Sequence, residues 1–226
     1  IDTIGVSLDQ SQFIEMFTRR SLDFIKDNKH NPFFLYLAHT APHTPLNSNK
    51  KNKGKSKRGT YGDVVEELDA SVGKILQTLN DLKIAKNTFV IFTSDNGPTF
   101  KNQVDIEFFN STGIFVNSKK TVKGSVNEGG LRVPTIASWP KKIKPGSKSD
   151  YPITFYDYFA TVSNILGVAS KNKIDGKSYY PTLLGEKQKM TNHLYWEFPA
   201  QGGQQAIRID HWKGIRKNLF KGLSKI

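Results

Sequence analysis

Thr88-Phe89-Val90-Ile91-Phe92-Thr93 runs directly into Ser94-Asp95-Asn96-Gly97-Pro98, and the rest of the chain is organised around this stretch. Its first six residues are β-branched or aromatic, and a short unbroken apolar run predicts a strand buried on both faces. The polar Asp-Asn-Gly-Pro that follows predicts a loop. Upstream, Asp63 to Leu82 carries Val64, Val65, Leu68, Val72, Ile75, Leu76 and Leu79 as an apolar helical stripe, with Glu66, Glu67 and Lys74 turned away from it. The same order occurs once before. Asp9 to Asn28 spaces Phe13, Ile14, Phe17, Phe24 and Ile25 for one helix face, Asn28 to Pro32 ends it, and Phe33-Phe34-Leu35-Tyr36-Leu37-Ala38 predicts a second fully buried strand. A loop with His39, Pro42, His43 and Pro45 follows. Two successive units of helix, strand and polar loop predict a layered α/β fold with a mostly parallel sheet flanked by helices.

Downstream, residues 99–126 are irregular, and a loop of that length in a compact domain points to function. Val133 to Trp139 predicts another strand. Pro152 to Leu166 predicts a helix with Phe155, Tyr158, Phe159, Val162 and Ile165 on one side. After Gly176 the pattern changes. Leu194–Phe198, Gln205–Ile209 and Trp212–Arg216 are short alternating runs parted by turn residues, which predict a small antiparallel meander. The expected organisation is therefore an α/β portion, 1–185, and a small antiparallel C-terminal subdomain, 186–226.

Composition narrows the chemistry. The 226 residues contain no cysteine, which excludes disulfide scaffolds, zinc ribbons and thiol catalysis. Lys plus Arg outnumber Asp plus Glu by 33 to 20, a formal charge of +13, and six of the nine residues from Lys50 to Arg58 are basic. That run is expected to be a solvated loop. Clustered cations attract polyanions, but the helices are ordinary amphipathic ones and no nucleic-acid motif occurs. No apolar run reaches the roughly 18 residues of a membrane span. The P-loop, Gly-x-Ser-x-Gly, His-Glu-x-x-His and dinucleotide signatures are all missing. The opening Ile1-Asp2-Thr3 has no leader and suggests a chain that starts inside a longer protein.

Ligands of open α/β sheets sit beyond the carboxyl ends of the strands. His39 and His43 follow one expected strand, and Asp95 and Asn96 follow the other. Asp and Asn offer hard oxygen ligands, suited to calcium or magnesium, although Asp-Asn-Gly is also an ordinary turn sequence. The block Lys123-Gly124-Ser125-Val126-Asn127-Glu128-Gly129-Gly130-Leu131-Arg132-Val133-Pro134 is either a tight turn before a strand or part of a site.

In order along the chain, these blocks resemble the type I sulfatases, the formylglycine-dependent branch of the alkaline phosphatase superfamily. The resemblance rests on Pro32 to Ala38 with Ala41-Pro42-His43-Thr44-Pro45, Tyr61 to Asp69, Phe92 to Pro98, Lys123 to Pro134, Asp175-Gly176 and Pro181 to Gly185. Tyr195 to Phe198 and Gln205 to Arg208 resemble the tail of some members. It implies an alkaline-phosphatase-like fold and gives roles to single residues. Asp95 and Asn96 would bind a divalent cation, most simply Ca2+. His43 would contact the sulfate ester and protonate the leaving oxygen, and Lys123 would hold the sulfate group. His39, in the same loop, would touch substrate, and Glu128 and Arg132 would brace the turn. The three effects fit together, because a sulfate ester needs its charge neutralised, its nucleophile positioned and its leaving oxygen protonated.

One part of the family pattern is missing. The formylglycine nucleophile comes from a Cys/Ser-x-Pro-x-Arg motif, and no such motif occurs in residues 1–226; the nearest, Ser138-Trp139-Pro140, has Lys142 in place of Arg. The nucleophile and the remaining cation ligands are therefore expected upstream, and these residues by themselves are expected to turn over no sulfate ester. The resemblance also implies export to the periplasm, the outside of the cell or lysosomes. With the basic excess it favours a sulfated carbohydrate, with Trp196, Phe198, Tyr179 and Tyr180 as candidates to stack on sugar rings. A phosphate or phosphonate ester hydrolase of the same superfamily, or a non-catalytic polyanion-binding homologue, are the alternatives. No pattern sets an oligomeric state.

Overall fold

The computed structural model describes residues 9–99, 104–115, 118, 120–190 and 193–221. It divides into two units, residues 1–88 with 101–105, and residues 89–100 with 106–226.

The first unit is built on two helices. Asp9 caps the entry by accepting the Ser11 N–H at 2.9 Å, and a single 3-10 turn, Gln10–Gln12, leads into α1, Phe13–Asp27. Its buried residues Ile14, Thr18, Ser21 and Ile25 recur at three- and four-residue steps, so one stripe faces inward. Asn28 ends it, its N–H and its side-chain amide both donating to the Phe24 carbonyl. The inward stripe lies on α2, Gly59–Asp81, where small polar residues meet and Thr18 Oγ1 stands 2.6 Å from Ser71 Oγ. Ile14, Leu46 and Val64 form the apolar centre, with Ala41 and Tyr61 packed against it.

Two expectations are corrected here. Phe33–Ala38 forms no ladder among the described residues, and it is not buried on both faces. Exposure alternates along it, with Phe34 63% and Tyr36 71% exposed while Phe33, Leu35 and Leu37 are half-buried. Phe33 packs edge-on to Phe24 of α1, which gives the half-buried side a partner. On α2, Glu67 points inward rather than out. Its carboxylate accepts the Asn49 N–H and the Asn49 side-chain amide at 2.9 and 2.8 Å. One turn earlier, buried Asp63 accepts the N–H groups of Gly54 and Ser56, each at 2.7 Å. The basic loop is therefore pinned by backbone to two buried carboxylates, while its six Lys and Arg side chains are exposed.

In the second unit, β1 (Val90–Thr93) pairs with β2 (Thr135–Ser138) from Val90 opposite Ser138 to Thr93 opposite Thr135. This pair runs antiparallel, and Phe92 and Ile136 keep 40% and 64% of their surface exposed, so neither strand is buried on both faces. Two short helices lie between them in sequence, α3 (Ile106–Phe109) and α4 (Glu128–Leu131). The expected helix at 152–166 forms as α5, Asp157–Leu166, and ends on Gly167 in the left-handed conformation. Its inward side carries Tyr158, Thr161, Val162 and Ile165; Phe155 and Phe159, expected with them, are 52% and 60% exposed. Buried Thr161 donates to the Asp157 carbonyl and accepts the Tyr179 N–H, tying α5 to α6, Tyr180–Leu183. The meander is as expected. β3 (Leu194–Phe198), β4 (Gln204–Ile209) and β5 (Trp212–Lys217) form one antiparallel sheet in chain order. Among the described residues no helix is long and apolar enough to cross a membrane.

Candidate active site

Each candidate residue sits in a loop held by backbone. In the first unit, the His43 N–H donates to the Thr40 carbonyl at 3.1 Å, and the imidazole is exposed. Its Nδ1 lies 2.6 Å from the Thr44 carbonyl. A carbonyl only accepts, so Nδ1 carries the proton and Nε2 is the nitrogen left to act on a ligand.

His39 is held differently. Thr18 Oγ1 donates to the Ile14 carbonyl at 2.5 Å, so the contact with Ser71 requires Ser71 to donate to Thr18. The Ser71 oxygen, 3.2 Å from His39 Nε2, must then accept from it. Nε2 is therefore protonated and engaged with α2, while Nδ1 is buried and has no hydrogen-bond partner among the described residues. The ring packs 6.1 Å from Phe17, and burial pushes its pKa below the ordinary histidine value, consistent with a neutral side chain.

In the second unit, β1 ends in the Ser94-Asp95-Asn96-Gly97-Pro98 loop. Asp95 is exposed and accepts the Asn96 N–H on Oδ1 at 3.0 Å, and Oδ2 has no hydrogen-bond partner among the described residues. The Asn96 amide donates from Nδ2 to the Gly97 carbonyl at 2.8 Å, which makes its Oδ1 the end a cation would use. One carboxylate oxygen and one amide oxygen on adjacent residues suit a hard cation such as calcium. They would supply two of the six or more ligands that calcium takes. Among the described residues no group of three His, Cys, Asp or Glu is arranged to hold a metal.

Lys123 belongs to this same unit and is joined to that loop. Its N–H donates to the Pro98 carbonyl at 2.8 Å, and the Gly97 N–H donates to the Gly130 carbonyl at 2.9 Å. Buried Val122 and Val126 anchor the turn around the half-buried lysine. Close approach explains the glycines. A Cβ on Gly97 would lie 1.9 Å from the Gly129 oxygen, and one on Gly130 would lie 2.3 Å from the Ser125 oxygen. Glu128 accepts Arg132 Nε at 2.6 Å on one carboxylate oxygen and the Lys213 ammonium of β5 on the other. Burial alone would raise its pKa, but hydrogen bonds from Lys213 and Arg132 outweigh that and hold it below the ordinary glutamate value.

The structure thus brings Asp95, Asn96 and Lys123 onto neighbouring loops of one unit, and it sets His39 and His43 in the other unit. Among the aromatics considered for sugar stacking, Tyr179 is buried, Tyr180 stacks on Trp139, and Trp196 lies under the Lys213 ammonium. Phe198 is the exposed one of the four, at 39%. Sequence reasoning missed the buried acceptors Asp63 and Glu67 and the ties made by Gln204 and Lys213. Only the four-residue spacing of Asp63, Glu67 and Ser71 hinted at a polar inward stripe.

The sulfatase family model matches residues 8–168. The chain belongs to the sulfatase family. A second model, N-sulphoglucosamine sulphohydrolase, C-terminal, matches residues 122–224 of this sulfatase chain. Human N-acetylgalactosamine-6-sulfatase is 40% identical over 97% of the chain and 42% of its own length. Human steryl-sulfatase is 37% identical over 87% of the chain and 34% of its own length. A solved structure from work on glycosaminoglycan metabolism by Bacteroides thetaiotaomicron superposes with a TM-score of 0.78 at 29% identity. That superposition covers 92% of this chain and 44% of the other. The chain thus spans about two fifths of the length of such relatives, and their α/β fold is the fold it shares.

Proposed function

We propose that the protein containing this chain hydrolyses sulfate esters, with a sulfated carbohydrate as substrate. In this reading Lys123 holds the sulfate group, His43 protonates the leaving oxygen, and Asp95 and Asn96 provide two oxygen ligands to a calcium ion. The observation that carries the reading is the backbone weld of Lys123 to Pro98. It ties the backbone that carries the lysine to the loop that carries Asp95 and Asn96.

The chemistry follows from these side chains. Hydrolysis leaves negative charge on the sulfate oxygens and on the departing alcohol oxygen. The Lys123 ammonium, carried on a turn whose backbone is tied to Pro98, stabilises the first. His43, with Nδ1–H committed to the Thr44 carbonyl, acts in its doubly protonated imidazolium form, giving the Nε2 proton to the second and returning to the neutral Nδ1–H ring. When bound, calcium supplies positive charge for the sulfate and for a formylglycine nucleophile, which we place outside residues 1–226 with the remaining ligands. His39, engaged with Ser71, is assigned to holding the start of its loop rather than to substrate. Two named relatives bear on the substrate, one sulfatase of an amino sugar and one of steryl esters. The exposed cations of the pinned 50–58 loop support the sugar, because a fixed basic surface raises the local concentration of a sulfated chain. Export from the cytoplasm belongs to the same proposal.

The test is turnover by the full-length protein on a sulfated oligosaccharide, a steryl sulfate and an aryl phosphate. The sulfated sugar is expected to be the best substrate, and Lys123→Ala is expected to lower kcat by roughly 10²–10³-fold, as when one transition-state donor is removed. A faster phosphate reaction, or Lys123→Ala within about twofold of the parent, would overturn the reading; faster steryl sulfate would overturn only the sugar.

A further inference from the structure

We propose that the inner face of the C-terminal meander is a two-point clamp on the Lys123 turn, and that Gln204 is its positioning residue. The proposal rests on the assignment of Lys123 to the sulfate group and adds a residue that acts through it.

The register makes the clamp possible. Side chains alternate along a strand, so Gln204 and Ala206 of β4 share a face with Trp196 and Phe198 of β3. Trp196 stands opposite Ala206, and Phe198 opposite Gln204. On β5, Ile215 stands opposite Ala206, which puts Lys213, two residues earlier, on this face as well. Gln204 and Ala206 are 1% and 2% exposed, so the face is covered at these two positions. What covers it includes the turn itself.

Gln204 holds one end of the turn. Its Nε2 donates to the Gly124 carbonyl at 3.0 Å and to the Ala200 carbonyl at 3.1 Å, and its Oε1 receives a long contact from the Val126 N–H at 3.5 Å. A carboxamide is suited to this task because it donates to two carbonyls while offering an acceptor to an N–H. Lys213 holds the other end. Its ammonium lies over the Trp196 ring at 5.4 Å and pairs with Glu128. The two holds lie on either side of buried Val126, and Gly124 is the immediate neighbour of Lys123. Its φ of +85° lets the chain fold back at that point. The far side of the turn is fixed by the Lys123 N–H on the Pro98 carbonyl. The lysine backbone is thus held from the cation-ligand loop on one side and from the meander on the other. A misplacement of about 1 Å can cost roughly 10²-fold in rate, so a clamp next to a charged catalytic side chain has a kinetic role to play.

Gln204→Met keeps length and apolar volume but removes every polar contact, and Lys213→Met is the second variant, releasing the other end. Hydrogen exchange of residues 122–128 in the full-length protein is expected to quicken in both, while the β1–β2 pair keeps its protection. Turnover of a sulfated oligosaccharide by Gln204→Met is expected to fall about tenfold or more, chiefly in kcat. Combined with Lys123→Ala, Gln204→Met is expected to add almost nothing, because residues that act as a unit are not additive. Unchanged exchange in both variants would overturn the clamp. Faster exchange with parental turnover, or effects that multiply in the double variant, would overturn the positioning role. If Lys123→Ala alone leaves turnover within about twofold of the parent, the assignment of Lys123 fails and the positioning role fails with it, while hydrogen exchange still reports separately on the clamp.

Discussion

Gly97→Ala tests whether the Asp95-Asn96 loop, proposed above to bind a cation, and the Lys123 turn are one rigid body. The glycine is not there for an unusual backbone angle; it is there because another strand of chain passes too close. A Cβ at 97 would stand 1.9 Å from the Gly129 oxygen, 2.9 Å from the Gly129 carbonyl carbon and 3.1 Å from the Gly130 Cα. All three are backbone atoms, so no side-chain rotation relieves the clash. Reaching even a tight 3.0 Å from that oxygen requires the segments to part by more than an ångström. The bond from the Gly97 N–H to the Gly130 carbonyl, 2.9 Å long, lies in the same contact and is lost with it. Losing that bond costs about 1 kcal/mol. Overpacking costs about 2 kcal/mol. The lower entropy of an unfolded chain with alanine returns about 0.7 kcal/mol. The net expectation is destabilisation by about 2 kcal/mol, together with weaker binding of a divalent cation. Urea denaturation of the full-length protein, compared with Gly73→Ala, is the assay. Gly73 lies on α2 with nothing within 4 Å of its Cβ position, so alanine there should be neutral or stabilising. If the two variants shift the midpoint in the same direction and by similar amounts, the rigid-weld argument is refuted.

The remaining predictions concern the buried polar contacts. Asp63→Asn, which cannot accept both the Gly54 and Ser56 N–H groups, should cost about 1–3 kcal/mol and speed tryptic cleavage within 50–58; equal cleavage rates would count against the pinned loop. Burial acts to raise the Asp63 pKa, but the N–H groups of Ser56, Gly54 and Lys55 hold it below the ordinary aspartate value. Its contribution is therefore complete above about pH 4 and is lost as pH falls through the lower folded value, so loop protection should fall on acidification in the parent and change less in Asp63→Asn. Thr161→Val preserves shape but strands the buried Tyr179 N–H, and should lower stability by about 1–3 kcal/mol in thermal melts; an unchanged melting temperature would show that this N–H finds another partner.

How much of this was legible beforehand depends on whether a residue's role is set by its neighbours in sequence or by something distant. The meander was legible because alternation and turn residues are local, and the three strands fall within a residue or so of the runs that predict them. Asp95, Asn96 and His43 were legible as candidates, polar residues in loops after apolar runs, and Lys123 as a cation ahead of the Gly129-Gly130 turn. Burial was less so. Hydrophobicity records that Phe34, Tyr36, Phe155 and Phe159 disfavour water, but says nothing of whether a partner surface is present, and in the structure all four are exposed. Glu67 erred in the opposite sense. A helical wheel sorts it outward by polarity, yet the 47–58 loop has backbone donors that need an acceptor, and a carboxylate on the inward face satisfies them at the cost of its own desolvation. Gln204 is the extreme case. Nothing near it in sequence distinguishes it from Gln205, because its role depends on a strand register that brings its amide to a carbonyl 80 residues earlier. Such a role has to be read from structure. It follows that the residues holding a site in place are harder to find in a sequence than the residues that act in it, because the first are defined by geometry and the second by chemistry.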